Sequence, residues 1–450
     1  MLGNLRNGKV NVLYISPEFT STNSQRLVKA LPKGLDGVTC IAVDEAHCAS
    51  KWGHDFRPSY LELNLKQKFP GVPILVLTAA VTPHVQRSIC DELGLKNPQV
   101  TRTSFNRPNL FMEVRPKSGS FWGDIKDMVK RTASGQEKRF PGATLVVCPS
   151  KKDVEKCVEE LEQNGIKSLM YHGGMTYPDR RSAHQAFARN DVQVLVATAA
   201  FGMGIDKPDV RSVIHWGAPK DLETLYQEMG RAGRDGLPSV CRVYWTPGDF
   251  SSHRQHRSSC TNPELLAHKA EMITAMEVYV GSNEKCRRVQ MLEYFEPGST
   301  ETSLGIVRAR GCCDCCTSTH EDKEVDFKKE ATTMIEAVDF MGHKKGLGLI
   351  VKFVRGANDG RLQESVKTSL LYGKGKERSD EFWKALTRQL VSKGLLEETK
   401  MKMPKWTYTT FTVSKEASRF ICSSEPLLLR QTGNLSLEKR KPKVAVKAAR

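Results

Sequence analysis

The chain has 450 residues, enough for about two to four domains that each bury a core of their own. Apolar residues make up 39% and charged residues 26%, and no apolar run reaches the roughly 18 residues that a membrane-crossing helix needs, so a membrane partner is not expected. Subtracting 51 acidic from 68 basic side chains leaves +17, with a sequence pI near 9.3, which points to a polyanionic partner.

The N-terminal stretch has a short apolar run interrupted by Asn11 and does not read as a secretory leader, so the 13 cysteines are read for a reducing compartment. Residues 1–105 alternate apolar runs with polar or helical sequence: VNVLYISPE, VTCIAVDEAH and VPILVLTAA are each expected as a strand of a parallel α/β unit. The pattern restarts at ATLVVCPSKK, passes through the helix DVEKCVEELEQNG to KSLMYHGG, and repeats at VQVLVATAA and VRSVIHWGAP, a second α/β domain. Polar helical sequence follows from 250, then a cluster of cysteines. From 324, MIEAVDFMG and SDEFWKALTRQLVSKG have helical spacing, and LLEETKMKMPKWTYTTFTVSKEA reads as two strands joined across Lys402–Lys405, the layout of a winged helix. The tail KRKPKVAVKAAR has no core-forming pattern.

Four constellations carry chemistry. The run Ile41–Val43 ends in Asp44, Glu45, Ala46 and His47, which puts two carboxylates at a strand's C-terminal edge. One can hold Mg²⁺ while the next orients water on a nucleotide γ-phosphate, although such a pair also serves as helix-start charge. The following loop, with Trp52, His54, Phe56 and Arg57, suits stacking on single-stranded bases, or it is an aromatic-anchored surface loop. In AFGMGID the small residues Gly202 and Gly204, ahead of Asp206, let backbone approach a phosphate or turn tightly from strand to helix. Gln227 to Gly236 sets Arg231 and Arg234 three apart, so both can reach a transferring phosphoryl group, unless they form a solvated basic helix end. Finally, Cys286 precedes Cys312, Cys313, Cys315 and Cys316: five candidates for the four places of a Zn²⁺ site, with a redox dithiol as the alternative.

The strings DEAHC-x-S-x-WGHDFRP-x-Y and SFNRPNL (Ser104–Leu110) resemble the RecQ family of DNA helicases, and the resemblance extends over about residues 5–430. It implies two RecA-like parallel-sheet lobes, the first incomplete, over 1–105 and 106–250. A helical zinc-binding subdomain over 251–323, a winged helix over 324–430 and a basic disordered tail over 431–450 would follow. It also implies ATP-dependent 3′→5′ unwinding in repair, recombination and replication, with single-stranded, forked, junction or G-rich DNA as partner and ATP, Mg²⁺ and Zn²⁺ as cofactors. In that pattern Asp44 holds Mg²⁺, Glu45 orients water beside His47, Arg234 is the arginine finger supported by Arg231, and Gln227, Gly202, Gly204 and Asp206 lie near the nucleotide. The family pattern has its first ligand before Arg-Arg, where Cys286 stands, and the C-C-D-x-C spacing of its Werner-syndrome branch implies Cys312, Cys313 and Cys316 as the others, with Cys315 spare.

That branch places a strand-splitting side chain on the wing, and Trp406, between Met403 and the hairpin's far strand, is the candidate, with a core-facing ring as the alternative. Arg355, Asn358, Arg361, Lys384 and Arg388 are candidate phosphate contacts or members of solvated faces. Lys439–Lys443 resembles a nuclear import signal, which implies a nuclear protein. Two departures stand out. The one GxxxxGK, Gly3 to Lys9, lacks a following Ser or Thr and is expected as a turn before the YISPE strand and not as a phosphate loop, so the chain is expected to begin within the first lobe. The second is Ala80, where the family has a hydroxyl in the stretch Leu77–Pro83. A competing expectation follows: a DNA-binding fragment that does not hydrolyse ATP.

Overall fold

A computed structural model describes residues 2–31, 34–53, 56–79, 81–131, 138–201, 206–256, 262–282, 285–297, 311–317, 324–342, 345–402 and 407–430. The chain forms two compact units, Met1–Ser318 and Thr319–Arg450.

In the first unit, strands β1 (Ile41–Val43) and β2 (Ile74–Val76) pair in parallel, Ile41 opposite Ile74. The expected strand at VNVLYISPE does not form. No described strand offers it a ladder, Val12, Tyr14 and Ile15 are exposed, and Ser16 instead caps helix α1 (Pro17–Ala30), accepting from the Phe19 N–H at 3.3 Å. Gly3–Lys9 is not the simple turn expected before that strand either. It makes a short helix that closes at Gly8 with φ +65°, and the amides of Asn7, Gly8 and Lys9 donate to the carbonyls of Gly3, Leu5 and Asn4. Helix α2 (Pro83–Glu92) is capped by Thr82 and packs Val85 and Ile89 beneath β1.

A six-stranded, all-parallel sheet follows: β3 (Leu110–Pro116), β4 (Ala143–Cys148), β5 (Ser168–Tyr171), β6 (Val194–Thr198), β7 (Val210–Trp216) and β8 (Ser239–Trp245), in the order β3-β8-β7-β4-β6-β5. Both faces are covered, which is why β6 reads as an unbroken apolar run. Leu145, Leu195 and Val213 pack with Ala183 and Phe187 of α4 (Tyr177–Ala188) and Leu225 of α5 (Leu222–Met229). Val146, Val194, Val196 and Ile214 meet Val154, Val158 and Leu161 of α3 (Lys151–Gln163) on the opposite side. Strands β3 and β8 are absent from the sequence reading because charges interrupt them. Arg242 and Glu113 are register partners bonded at 2.6 Å, and Arg242 also reaches Asp127 at 2.8 Å, so the polar residues satisfy one another across the ladder. Helices α6 (Pro263–Gly281) and α7 (Arg287–Phe295) join this core through Met276, Tyr279, Val289 and Phe295.

The second unit has its own core of Phe327, Met334, Ile350, Phe353, Trp383, Leu386, Leu396 and Phe411. Helices α8 (Lys328–Met341), α9 (Leu347–Arg355) and α10 (Asp380–Ser392) lead into an antiparallel hairpin of β10 (Leu396–Lys402) and β11 (Thr407–Val413). Helix α11 (Lys415–Cys422) follows, and β9 (Glu324–Asp326) pairs with β12 (Leu428–Arg430) to close the unit. This is the winged-helix arrangement expected from the helix and hairpin pattern. The hairpin tip, with Met403, Lys405 and the candidate wedge Trp406, lies outside the described residues.

Candidate nucleotide, metal and nucleic-acid sites

The two carboxylates follow directly on β1. Glu45 adopts a left-handed conformation, φ 50° and ψ 42°, which a side chain with a Cβ takes only at a cost, and the Asp44 carboxylate accepts the Glu45 N–H at 2.9 Å. The twist turns the chain so that Ala46 donates to the Leu77 carbonyl at 3.0 Å and His47 is buried. His47 Nδ1 sits 3.3 Å from Thr78 Oγ1 and 3.4 Å from Glu45 Oε2, which ties the turn to the stretch after β2. Ala80 itself lies outside the described residues.

The aromatic loop is built onto this turn. A Cβ at Gly53 would stand 2.6 Å from the His47 carbonyl, so glycine is needed for the close approach. Arg57 N–H donates to the Cys48 carbonyl at 2.9 Å and the Tyr60 hydroxyl to the Asp44 carbonyl at 3.1 Å. Burial pushes the Tyr60 phenol up to about 12, so it stays a donor. Trp52 is half-buried, its ring edge-on to His84 at 5.0 Å and to His268 of α6 at 5.4 Å, while His268 Nε2 lies 3.0 Å from the Trp52 carbonyl. Phe56 is half-buried and Arg57 is exposed, 3.9 Å from Glu18, whereas His54 lies outside the described residues.

The arginine loop leaves the end of α5, whose N-terminus is capped by Asp221. Burial depresses the Arg231 guanidinium below its ordinary range; Glu228 and Glu45 act to keep it charged and Arg234 opposes. The Glu45 carboxylate and Arg231 are therefore within electrostatic reach of each other. Arg234 Nη1 lies 3.6 Å from the exposed Asp206, and Gln227 Nε2 is buried with no hydrogen-bond partner among the described residues. Gly202 and Gly204 lie outside the described residues.

The cysteine cluster converges. The sulfurs of Cys286, Cys312, Cys313 and Cys316 all lie within 4.8 Å of one another, with Cys286 to Cys312 at 3.4 Å and Cys286 to Cys313 at 3.8 Å. Tetrahedral zinc with sulfur at about 2.3 Å separates its ligands by about 3.8 Å, so the donor set fits. Hydrogen bonds from Cys286 and Cys315 hold the Cys313 sulfur far below the usual thiol range, and burial pushes Cys316 up to about 12. Cys315 turns toward Asp314, with Sγ to Oδ1 at 3.4 Å. Sequence reading uses Arg287 and Arg288 only to mark Cys286 as the first ligand and gives them no role of their own. Arg287 is fully buried and grips both oxygens of Asp314, which in turn accepts the Val114 N–H of β3 at 3.0 Å. Arg288 donates to Asn106 Oδ1 at 3.0 Å and to the Leu110 carbonyl at 2.7 Å. The signal was present in CRR, since an arginine beside a thiolate cluster needs a carboxylate or carbonyl of its own.

In the second unit Arg355 is ion-paired with Asp380 and donates to the Arg378 carbonyl at 3.0 Å. Lys384, half-buried, and Arg388, exposed, lie one turn apart on α10.

Three family models match the chain: the helicase conserved C-terminal domain over residues 124–236, the RecQ zinc-binding domain over 247–317, and the RQC domain over 321–436. A mouse protein named bifunctional 3'-5' exonuclease/ATP-dependent helicase WRN is 41% identical over 409 residues, 88% of this chain and 29% of that protein. An ATP-dependent DNA helicase RecQ from Pasteurella multocida is 32% identical, covering 88% of this chain and 59% of that one. A putative ATP-dependent RNA helicase from Acanthamoeba polyphaga mimivirus is 32% identical, covering 93% and 75%. The chain thus spans under two thirds of the mouse and Pasteurella relatives, and three quarters of the viral one. With the parallel-sheet lobe, the four-cysteine cluster and the winged helix each matched in register, the chain belongs to the RecQ family of helicases.

Proposed function

We propose that the protein acts as an ATP-dependent DNA helicase of 3′→5′ polarity on forked, junction or G-rich DNA, in nuclear repair, recombination and replication. The observation that carries this reading is that Glu45, at the strained turn after β1, lies near enough to Arg231, in the loop that also bears Arg234, for its charge to act on that guanidinium within one compact unit. A phosphoryl group between them meets a carboxylate able to orient water and guanidinium groups able to neutralise developing charge. Asp44 would hold Mg²⁺, which when bound would neutralise phosphate oxygens. The buried Gln227 Nε2 would donate a hydrogen bond to a nucleotide. Cys286, Cys312, Cys313 and Cys316 would hold Zn²⁺, whose part is to fix the chain between α7 and residue 317. Trp52, Phe56 and Arg57 supply the single-strand contact, in a loop tied by the Arg57 N–H and the Cys48 carbonyl to the turn that carries the carboxylates, and Lys384, Arg388 and Trp406 supply the duplex contact. The basic run Lys439–Lys443 supports the nuclear assignment.

A second reading, DNA binding without hydrolysis, is favoured by Gly3–Lys9, which folds as a helical turn whose Asn7, Gly8 and Lys9 amides donate to the carbonyls of Gly3, Leu5 and Asn4 instead of facing a phosphate. One experiment separates the two: DNA-stimulated ATP hydrolysis by the 450-residue chain, with Glu45→Gln as control and fork binding measured on the same sample. Hydrolysis abolished by Glu45→Gln supports the helicase reading for this chain. Fork binding without hydrolysis supports the second, and absence of both overturns both.

A further inference from the structure

Arg107 and Asn109 have no role in the site just described, yet they hold its arginine loop. Arg107 Nη2 donates to the carbonyls of Ala232 at 3.0 Å and Gly233 at 3.1 Å, and its Nη1 to Gly230 at 3.4 Å. Asn109 Nδ2 donates to Gly233 at 2.9 Å and Leu237 at 3.0 Å. These carbonyls flank Arg231 and Arg234 on both sides. The loop's amides are tied down as well, Gly233 to the Val210 carbonyl at 2.9 Å and Asp235 to Pro208 at 3.3 Å. From the other direction Arg288, buried two residues after Cys286, donates to Asn106 Oδ1 and to the carbonyls of Arg107 at 2.5 Å and Leu110 at 2.7 Å. A contiguous path therefore runs from Cys286 along the backbone to Arg288, through its hydrogen bonds to residues 106–110, and through Arg107 and Asn109 to the loop at 230–237.

We propose that Arg107 is the positioning residue for the Arg231 and Arg234 loop, and that Arg288 makes this positioning depend on the order of the cysteine cluster. The functional weight of the proposal rests on the reading that these arginines serve a nucleotide, but the physical coupling does not. A guanidinium spanning three carbonyls of one loop fixes its geometry more tightly than any single bond, and the buried Arg288 leaves residues 106–110 little freedom to shift. Ordering at one end then biases the other through a contiguous network.

The test is amide hydrogen exchange on the full chain, which needs no catalytic turnover. In Arg107→Ala, exchange at 230–236 is expected to rise tenfold or more, with β4 and β6, the bound zinc and the melting temperature unchanged. Arg107→Lys, able to reach one carbonyl instead of three, should fall between. Chelating zinc from the wild type should raise exchange at 312–317 and at 230–236 together. In Arg288→Met the loop should already exchange fast and should not respond further to chelation. Loop protection unchanged in Arg107→Ala overturns the positioning role, as does a rise spread evenly over the whole six-stranded sheet. Chelation that loosens 312–317 and leaves 230–236 protected overturns the coupling. Failure of the nucleotide reading would appear elsewhere, as nucleotide binding unaffected by Arg231→Ala and Arg234→Ala.

Discussion

Two residues show how backbone conformation was set aside for chemistry. Glu45 occupies a left-handed conformation that asparagine tolerates better than glutamate or glutamine, so Glu45→Asn should be more stable than Glu45→Gln by about 0.5–1 kcal/mol while both lose the carboxylate. Parallel urea denaturations check this, and equal midpoints would mean that the turn carries no strain. Gly233 is the converse case. Its φ of +55° is compounded by crowding, since a Cβ would stand 2.4 Å from Asn109 Nδ2 and 2.8 Å from both the Leu237 carbonyl and Ser239 Oγ. Gly233→Ala should destabilise by about 1–3 kcal/mol, and Asn109→Ala should recover part of that loss by removing the nearest clash. The candidate carboxylates, arginines and cysteines were legible because each sits in a short contiguous string. Arg107, Arg287 and Arg288 were not, because their partners lie in distant segments and only folding brings the carbonyls and Asp314 to them.

The strands of the central sheet divide in the same way. Those buried on both faces, β4, β6 and β7, announce themselves as apolar runs. The β3 and β8 pair hides because Glu113, Arg115 and Arg242 sit within it and are satisfied by one another, along and across the ladder, and by Asp127 and Tyr244. VNVLYISPE misled for the opposite reason, since an apolar run specifies a strand only when a neighbouring strand receives it. The β3–β8 network also has a pH signature. Burial alone would raise the Asp127 carboxyl, but the hydrogen bond and charge of Arg242, together with Arg115, hold it below the ordinary carboxylate value. Its contribution to stability is therefore complete above about pH 4 and is lost as pH falls through the lowered value. Since Asp127 is partly exposed, that contribution is modest, and Asp127→Asn should flatten the acid limb of the stability profile slightly without changing stability at pH 7 by more than about 1 kcal/mol. At the cysteine cluster the Arg287 side of the ion pair is fully buried, and Arg287→Ala leaves Asp314 beside thiolates without its counter-charge. A loss of about 3–5 kcal/mol in urea denaturation, with zinc supplied, is expected. A loss below about 1 kcal/mol would show that the metal alone holds the cluster.

Across the whole molecule, cationic surface is spread over both units, and the formal charge of +17 predicts fork affinity that falls steeply with salt. Salt dependence alone does not distinguish a built DNA surface from general attraction to a polyanion, so the informative quantity is the change in slope on removing particular cations. Arg355 is committed to Asp380 and the Arg378 carbonyl, and Arg361 to Asp359 at 2.8 Å, so neither gives its charge wholly to a phosphate. Lys384 and Arg388 share one face of α10, the helix that leads into the hairpin. If that face lies along a phosphate backbone, Lys384→Ala with Arg388→Ala should lower the slope of log K against log salt by about 2. Arg361→Ala should leave the slope nearly unchanged. Equal effects from both changes would mean that α10 is no more than part of a diffuse positive surface, and the winged helix would then lose its claim as the duplex-reading element.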